Sequence, residues 1–158
     1  MGLFDKVAPA PAGSPPFAKD RWPAILQSMD INFGTDGDGD YVADWDGIRV
    51  WFMARGDQGE IMFIQALWDV RPPLGEADRV AVVLNAWNSQ KIWPKASVSR
   101  TESECLVFGE LALDLETGAS DDFLRQQVRC VLSTSFSLVE YLVEELPEHT
   151  TWRNIAAE

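Results

Sequence analysis

The feature that most constrains this chain is a pair of neighbouring stretches whose two faces are both apolar. Ile48 to Ala54 and Glu60 to Asp69 are rich in Ile, Val, Phe, Trp and Met, residues that favour a pleated, packed backbone. Asp46-Gly47 precedes the first stretch and Asp57-Gln58-Gly59 separates the two, so they read as successive strands of hairpins. A half-exposed antiparallel strand alternates apolar and polar residues. These do not. Ile48, Val50 and Phe52 point one way, and Trp51 and Met53 point the other, beside Arg49. Ile61, Phe63 and Leu67 oppose Met62, Ile64, Ala66 and Trp68. A later hairpin repeats the pattern, with Leu106 and Phe108 against Val107, Leu111 and Leu113. Such a sheet needs cover on both sides. One long helix can cover much of one face; the other takes the shorter helices, a second subunit or a partner chain.

The remaining elements follow from periodicity and punctuation. Residues 20 to 31 carry Trp22, Ile25, Leu26 and Met29 at helical spacing, with Asp20 as the expected cap and Pro23 in the first turn. Asp40 to Asp44 leads into the first hairpin, and Pro72-Pro73 stops the run of strands. Glu76 to Asn88 reads as a second helix, with Val80, Val83, Leu84 and Trp87 on one face. Trp93 to Arg100 and Glu104 to Leu113 form the later hairpin, with Pro94 tolerated at a strand start or edge. Ser120 caps a long third helix that runs to about Leu146, where Pro147 ends it. The expectation is an α+β fold with a mainly antiparallel five-stranded sheet, in the order α-β-β-β-α-β-β-α. Residues 1–16, which include Val-Ala-Pro-Ala-Pro-Ala-Gly-Ser-Pro-Pro, read as a flexible arm. Residues 17–146 form a single domain, and 147–158 a tail in which Trp152 could fold back.

Charge and rare residues narrow the function. Of 158 residues, 25 are acidic and 13 basic, a net charge of −12. That disfavours nucleic acid and anionic membrane surfaces. No run approaches the roughly 20 apolar residues that span a bilayer, and the start of the chain lacks the apolar run of a secretory signal. Cys105 and Cys130 form neither a CxxC pair nor a disulfide framework and read as buried thiols in a reducing cytoplasm. No G-x-G-x-x-G or P-loop is present. His149, the one histidine, lies in the tail, away from any oriented triad. Glu140 and Glu144 stack one turn apart on the polar side of the last helix and read as solvated. Lys91, Lys95 and Arg100 gather near Trp93, yet the overall charge sets nucleic acid aside. These observations assign no catalytic, cofactor-binding or metal residue. Asp36-Gly37-Asp38-Gly39-Asp40 offers alternating hard oxygen ligands, but as an EF-hand loop it would carry Tyr41 at position 6 and Gly47 at position 12. It reads as an acidic turn. The Asp36–Asp46 cluster alone supports a second reading, a cation- or small-ligand-binding sensor or enzyme.

The segment Leu84-Asn85-Ala86-Trp87-Asn88-Ser89-Gln90-Lys91-Ile92-Trp93-Pro94-Lys95-Ala96 closes a helix and opens a strand, with Asn88 suited to a helix C-terminus. This run resembles the YbjN family of bacterial proteins, described as sensory transduction regulators. The resemblance extends from about Ala18 to Leu146 and includes Asp46-Gly47 and the Gly118-Ala119-Ser120 entry to the last helix. It implies a fold similar to type III secretion chaperones, which are small acidic cytosolic dimers that bind an extended client segment. It therefore implies a non-catalytic protein-binding module and a homodimer, and it carries over no client and no site residue. On this reading Trp51, Met53, Trp68, Trp87 and Trp93 are the candidate interaction anchors, because large apolar side chains dominate interface energetics.

Overall fold

The computed structural model describes residues 13–155, so residues 1–12 of the expected arm and 156–158 of the tail lie outside the described part. The architecture is α+β. Six antiparallel strands form one sheet: β1 (Gly34–Thr35), β2 (Tyr41–Trp45), β3 (Ile48–Arg55), β4 (Ile61–Trp68), β6 (Lys95–Arg100) and β7 (Cys105–Asp114), in the spatial order β1-β2-β3-β4-β7-β6. The sheet has one strand more than expected, because the turn-rich run after the first helix contains Gly34–Thr35, which pairs with Val42 and Tyr41. A second, two-stranded sheet joins β5 (Val70–Arg71) to β8 (Arg153–Asn154) and fastens the tail.

The helices are α1 (Trp22–Ser28), α2 (Ala77–Gln90) and α3 (Asp121–Glu145). The first is shorter than its periodicity suggests. A 3-10 turn over Lys19–Arg21 precedes it, Asp20 makes no cap, and the chain leaves the helix through Asp30 at φ 56°. The third begins as expected: Ser120 Oγ accepts the Phe123 N–H at 3.1 Å, satisfying one of the free donors of the first turn. Arg21 ties the two starts together, donating to the Pro15, Pro16 and Ala119 carbonyls and pairing with Asp121. Residues 13–16, the end of the expected arm, are thus held against the domain.

All three helices lie on one face of the sheet. In one apolar cluster Trp22, Ile25 and Leu26 of α1 and Leu124, Val128 and Val131 of α3 meet Val50, Phe52, Met62, Ile64 and Leu111. In the other, Val80, Leu84 and Trp87 of α2 and Leu138, Leu142 and Leu146 meet Trp68, Ala96 and Val107. The register puts every strand residue of the main sheet in these clusters on the same side. Close approach is allowed by Gly109, where a Cβ would lie 2.8 Å from Pro94 Cγ and 3.2 Å from Leu138 Cδ2.

The tail continues as a 3-10 helix over Pro147–Thr151. Trp152 packs on the second cluster, as the sequence allows. His149 sits 6.1 Å from the Trp68 ring, and its Nδ1–H donates to the Leu146 carbonyl. Glu148 pairs with Arg79, and Glu104 with Arg153.

Candidate functional site

With the helices on one side, the opposite face of the sheet has no element of the described chain laid across it. Its side chains form rows across the strands, because residues paired in register stand side by side. One row runs Met53, Phe63, Ala112. The next runs Val42, Trp51, Gln65, Glu110, Lys95, and the next Asp44, Arg49, Leu67, Phe108, Ser97. Apolar pairs therefore flank a polar centre. That centre is linked: Gln65 Nε2 donates to Glu110 Oε1 at 2.7 Å, and Lys95 Nζ lies 2.9 Å from Glu110 Oε2. At one end Arg49 forms a two-pronged pair with Asp44 at 2.6 and 3.1 Å. At the other, Arg55 stands 5.9 Å from the Phe63 ring centroid and reaches the Met53 sulfur and Asp40.

The sequence-derived anchors divide on this framework. Trp51 and Met53 belong to the open face. Trp51 is half-buried, and Met53 lies almost wholly covered within the monomer. Trp68 and Trp87 are buried at 3% and 4% exposure among the helices, so neither presents a surface for a partner. Trp93 is 43% exposed and lies in the connection just before β6. Phe63, Leu106 and Phe108, with the buried Leu67, supply the other large apolar side chains in the middle of the open face. The signal that finds them is their parity opposite Ile64, Trp68 and Val107, once the helices are known to take that other side.

A hollow of about 450 Å³ opens where this face meets the tail, lined by Arg49, Trp51, Leu67, Asp69, Arg71 and Ile155 among others. Both of its arginines are engaged, Arg49 by Asp44. Arg71 donates to the Trp68 carbonyl at 2.6 Å and faces Glu104 at 3.7 Å, and burial pushes its pKa down. Burial, reinforced by Asp46, pushes the Asp69 carboxyl up.

The acidic turn is also spoken for. Asp36 Oδ1 accepts the Asp40 and Asp38 N–H groups at 2.9 and 3.0 Å, and Oδ2 accepts the Trp51 indole N–H at 3.0 Å. The Asp40 N–H is the largest reason its pKa falls below the ordinary carboxylate value. Asp40 lies between Lys19 at 2.6 Å and Arg55 at 3.3 Å. Both carboxylates bond protein donors and help shape the turn. No group of His, Cys, Asp and Glu among the described residues is arranged to hold a metal ion.

The other candidates have structural roles. Lys95 and Arg100 pair with Glu110 and Asp78, while Lys91 stands over the Trp87 ring, so no basic cluster forms around Trp93. Cys105 is buried; Cys130, expected to be buried, is half-exposed on α3, and burial raises both thiol pKa values. Asn88, expected at the helix C-terminus, lies in the last turn of α2, and its side chain bonds the edge strand. No helix among the described residues is long and apolar enough to cross a membrane.

The fold and its face define a class: an α+β domain with helices on one side of an antiparallel sheet and an open, mixed apolar face on the other. The chain belongs to the YbjN family, whose model, "Putative bacterial sensory transduction regulator", matches residues 20–144. Among solved structures it is similar to "Crystal structure of YbjN, a putative transcription regulator from E. coli", at 12% identity and TM-score 0.68, over 90% of this chain and 99% of that one. At this identity the likeness shows the fold. No curated protein matches the chain.

Proposed function

We propose that this chain is a non-catalytic protein-binding module with a regulatory role, acting through the open face of its sheet. One observation carries the reading. The helices take one side of the sheet, while the other carries the half-buried Trp51, Phe63, Leu106 and Phe108 around the buried Leu67, and no helix of the described chain crosses it. A contiguous apolar patch of this kind marks an interaction surface. The membership in a family described as regulators agrees with binding as the task. The two free thiols suit a reducing compartment, and we place the protein in the cytoplasm.

The test is crosslinked affinity capture in the native host with three forms of the full chain. The wild type and a Ser137→Glu control, altered on the outer side of α3, retain the same captured protein. A Phe63→Glu, Phe108→Glu double variant loses it. Equal capture by all three forms removes the open face from the function.

A further inference from the structure

We infer that the hollow beside Asp69 and Arg71 is a binding site for a free α-amino acid with a large apolar side chain. The hollow shares Trp51 and Leu67 with the open face, yet a small ligand and a captured protein are read by different measurements.

Arg71 supplies the first half of the site. It is 6% exposed, and a guanidinium stays charged when buried. A buried charge is costly unless it is paired and hydrogen-bonded. Among the described residues its one side-chain hydrogen bond goes to the Trp68 carbonyl. Glu104 is a loose partner, 3.7 Å away, and it gives both oxygens to Arg153 at 3.2 and 3.1 Å. Most of the Arg71 donors are therefore unspent, and the residue lines the hollow. A carboxylate accepts two such donors side by side.

Asp69 supplies the second half. It lines the same hollow two residues earlier in the chain, so the two Cα atoms lie at most about 7 Å apart. Opposite charges this close can pair, yet among the described residues Asp69 forms no ion pair with Arg71 or any other cation. Burial, with Asp46 nearby, raises its pKa, and an ammonium group relieves that cost to the carboxylate.

The other two charges of the hollow, Asp44 and Arg49, cancel in their two-pronged pair. What remains is one cation and one anion, adjacent and unjoined. A molecule with a carboxylate and an ammonium on one carbon answers both. A plain anion is repelled by Asp69, and a plain cation by Arg71.

The rest of the wall is apolar: Trp45, Ile48, Trp51, Leu67 and Ile155. Small-molecule sites combine such walls with a few placed polar groups, and about 450 Å³ falls within their range. This wall takes an aliphatic or aromatic side chain and leaves a polar one without partners.

Isothermal titration calorimetry of the full chain tests each part. The probes are L-phenylalanine, L-leucine, glycine, and the analogues of the first two that lack the ammonium or lack the carboxylate. Phenylalanine or leucine binds at millimolar concentration or below. Glycine and the one-charge analogues bind at least about 10-fold more weakly, the loss expected for one charged hydrogen bond. Asp69→Asn weakens the amino acid at least about 10-fold but spares the analogue without the ammonium, because a neutral amide does not repel an anion. A merely structural role of Asp69 weakens both alike. If circular dichroism shows that Asp69→Asn does not fold, nitrogen-edited NMR of the wild type replaces it: the amino acid shifts the indole resonances of Trp45 and Trp51 and leaves that of Trp93 in place. No binding by either amino acid, equal binding by the one-charge analogues, a parallel loss in the variant, or a shift confined to Trp93 overturns the inference.

Discussion

The Asn88 side chain brackets a single peptide unit of the edge strand: its Nδ2 donates to the Ala96 carbonyl at 2.8 Å, and its Oδ1 accepts the Ala96 N–H at 2.9 Å. An amide is the one neutral side-chain group that offers a donor and an acceptor side by side, as the next strand of a sheet would. A helix side chain thus closes one rung of an edge that would otherwise be open there. Trp87 adds a second stitch from the same helix end, donating its indole N–H to the Pro94 carbonyl at 3.0 Å.

Asn88→Ala should lower stability by about 1–3 kcal/mol, the usual cost of leaving partly buried polar groups without partners. It should also promote self-association through the uncovered edge. Urea unfolding and light scattering check the two effects. Asn88→Asp keeps the acceptor but loses the donor and adds a charge, so it should not restore stability.

The tryptophans should separate by location. Trp68→Ala and Trp87→Ala should each cost about 3–5 kcal/mol, since each empties a large volume in the helix-covered core. Trp93→Ala should cost less than about 1 kcal/mol, because that ring is 43% exposed. Thermal or urea unfolding of the three variants measures this order.

The Trp51–Asp36 bond should respond to acid. Folding holds Asp36 below its ordinary pKa by favouring the carboxylate, so its contribution to stability is present above the unfolded value and is lost as pH falls through the lower folded one. The indole resonance of Trp51 in nitrogen-edited NMR should titrate with a midpoint below the usual aspartate value. In Asp36→Asn that acid step should disappear.

Ser120→Ala should destabilise the domain by about 1 kcal/mol, the typical loss of a helix cap. Ser120→Asp should restore it, since a carboxylate both accepts the Phe123 N–H and favours the positive end of the 25-residue helix α3. Chemical unfolding resolves a change of this size.

Much of the candidate site was legible in the strands themselves. Parity within each strand set Trp51 and Met53 apart from Val50 and Phe52, Phe63 and Leu67 apart from Ile64 and Trp68, and Leu106 and Phe108 apart from Val107, and the Asp46-Gly47 turn kept β2 and β3 in register; the pairing of the strands joined these sets into one face. What parity could not say was which of two apolar faces the helices would take. Trp68 and Trp51 carry the same strand signal, yet they lie on opposite sides of the sheet. Asn88 shows the same boundary. Its local signal is that of a helix end, and its partner Ala96 becomes visible only when α2 and β6 lie together.

The order of the three helices and five long strands, the turns, the Ser120 cap, the apolar strand faces and the charge of −12 were legible in the residues, because each depends on neighbours along the chain or on composition. Only the tertiary structure decided that α1, α2 and α3 share one side, that the tail closes on β5 through β8, and that Asp36 and Asp40 bond to Trp51, Lys19 and Arg55. Those outcomes depend on packing between segments far apart in sequence. Local pattern marks an apolar face as needing cover, and only the assembled chain reveals which face it leaves uncovered.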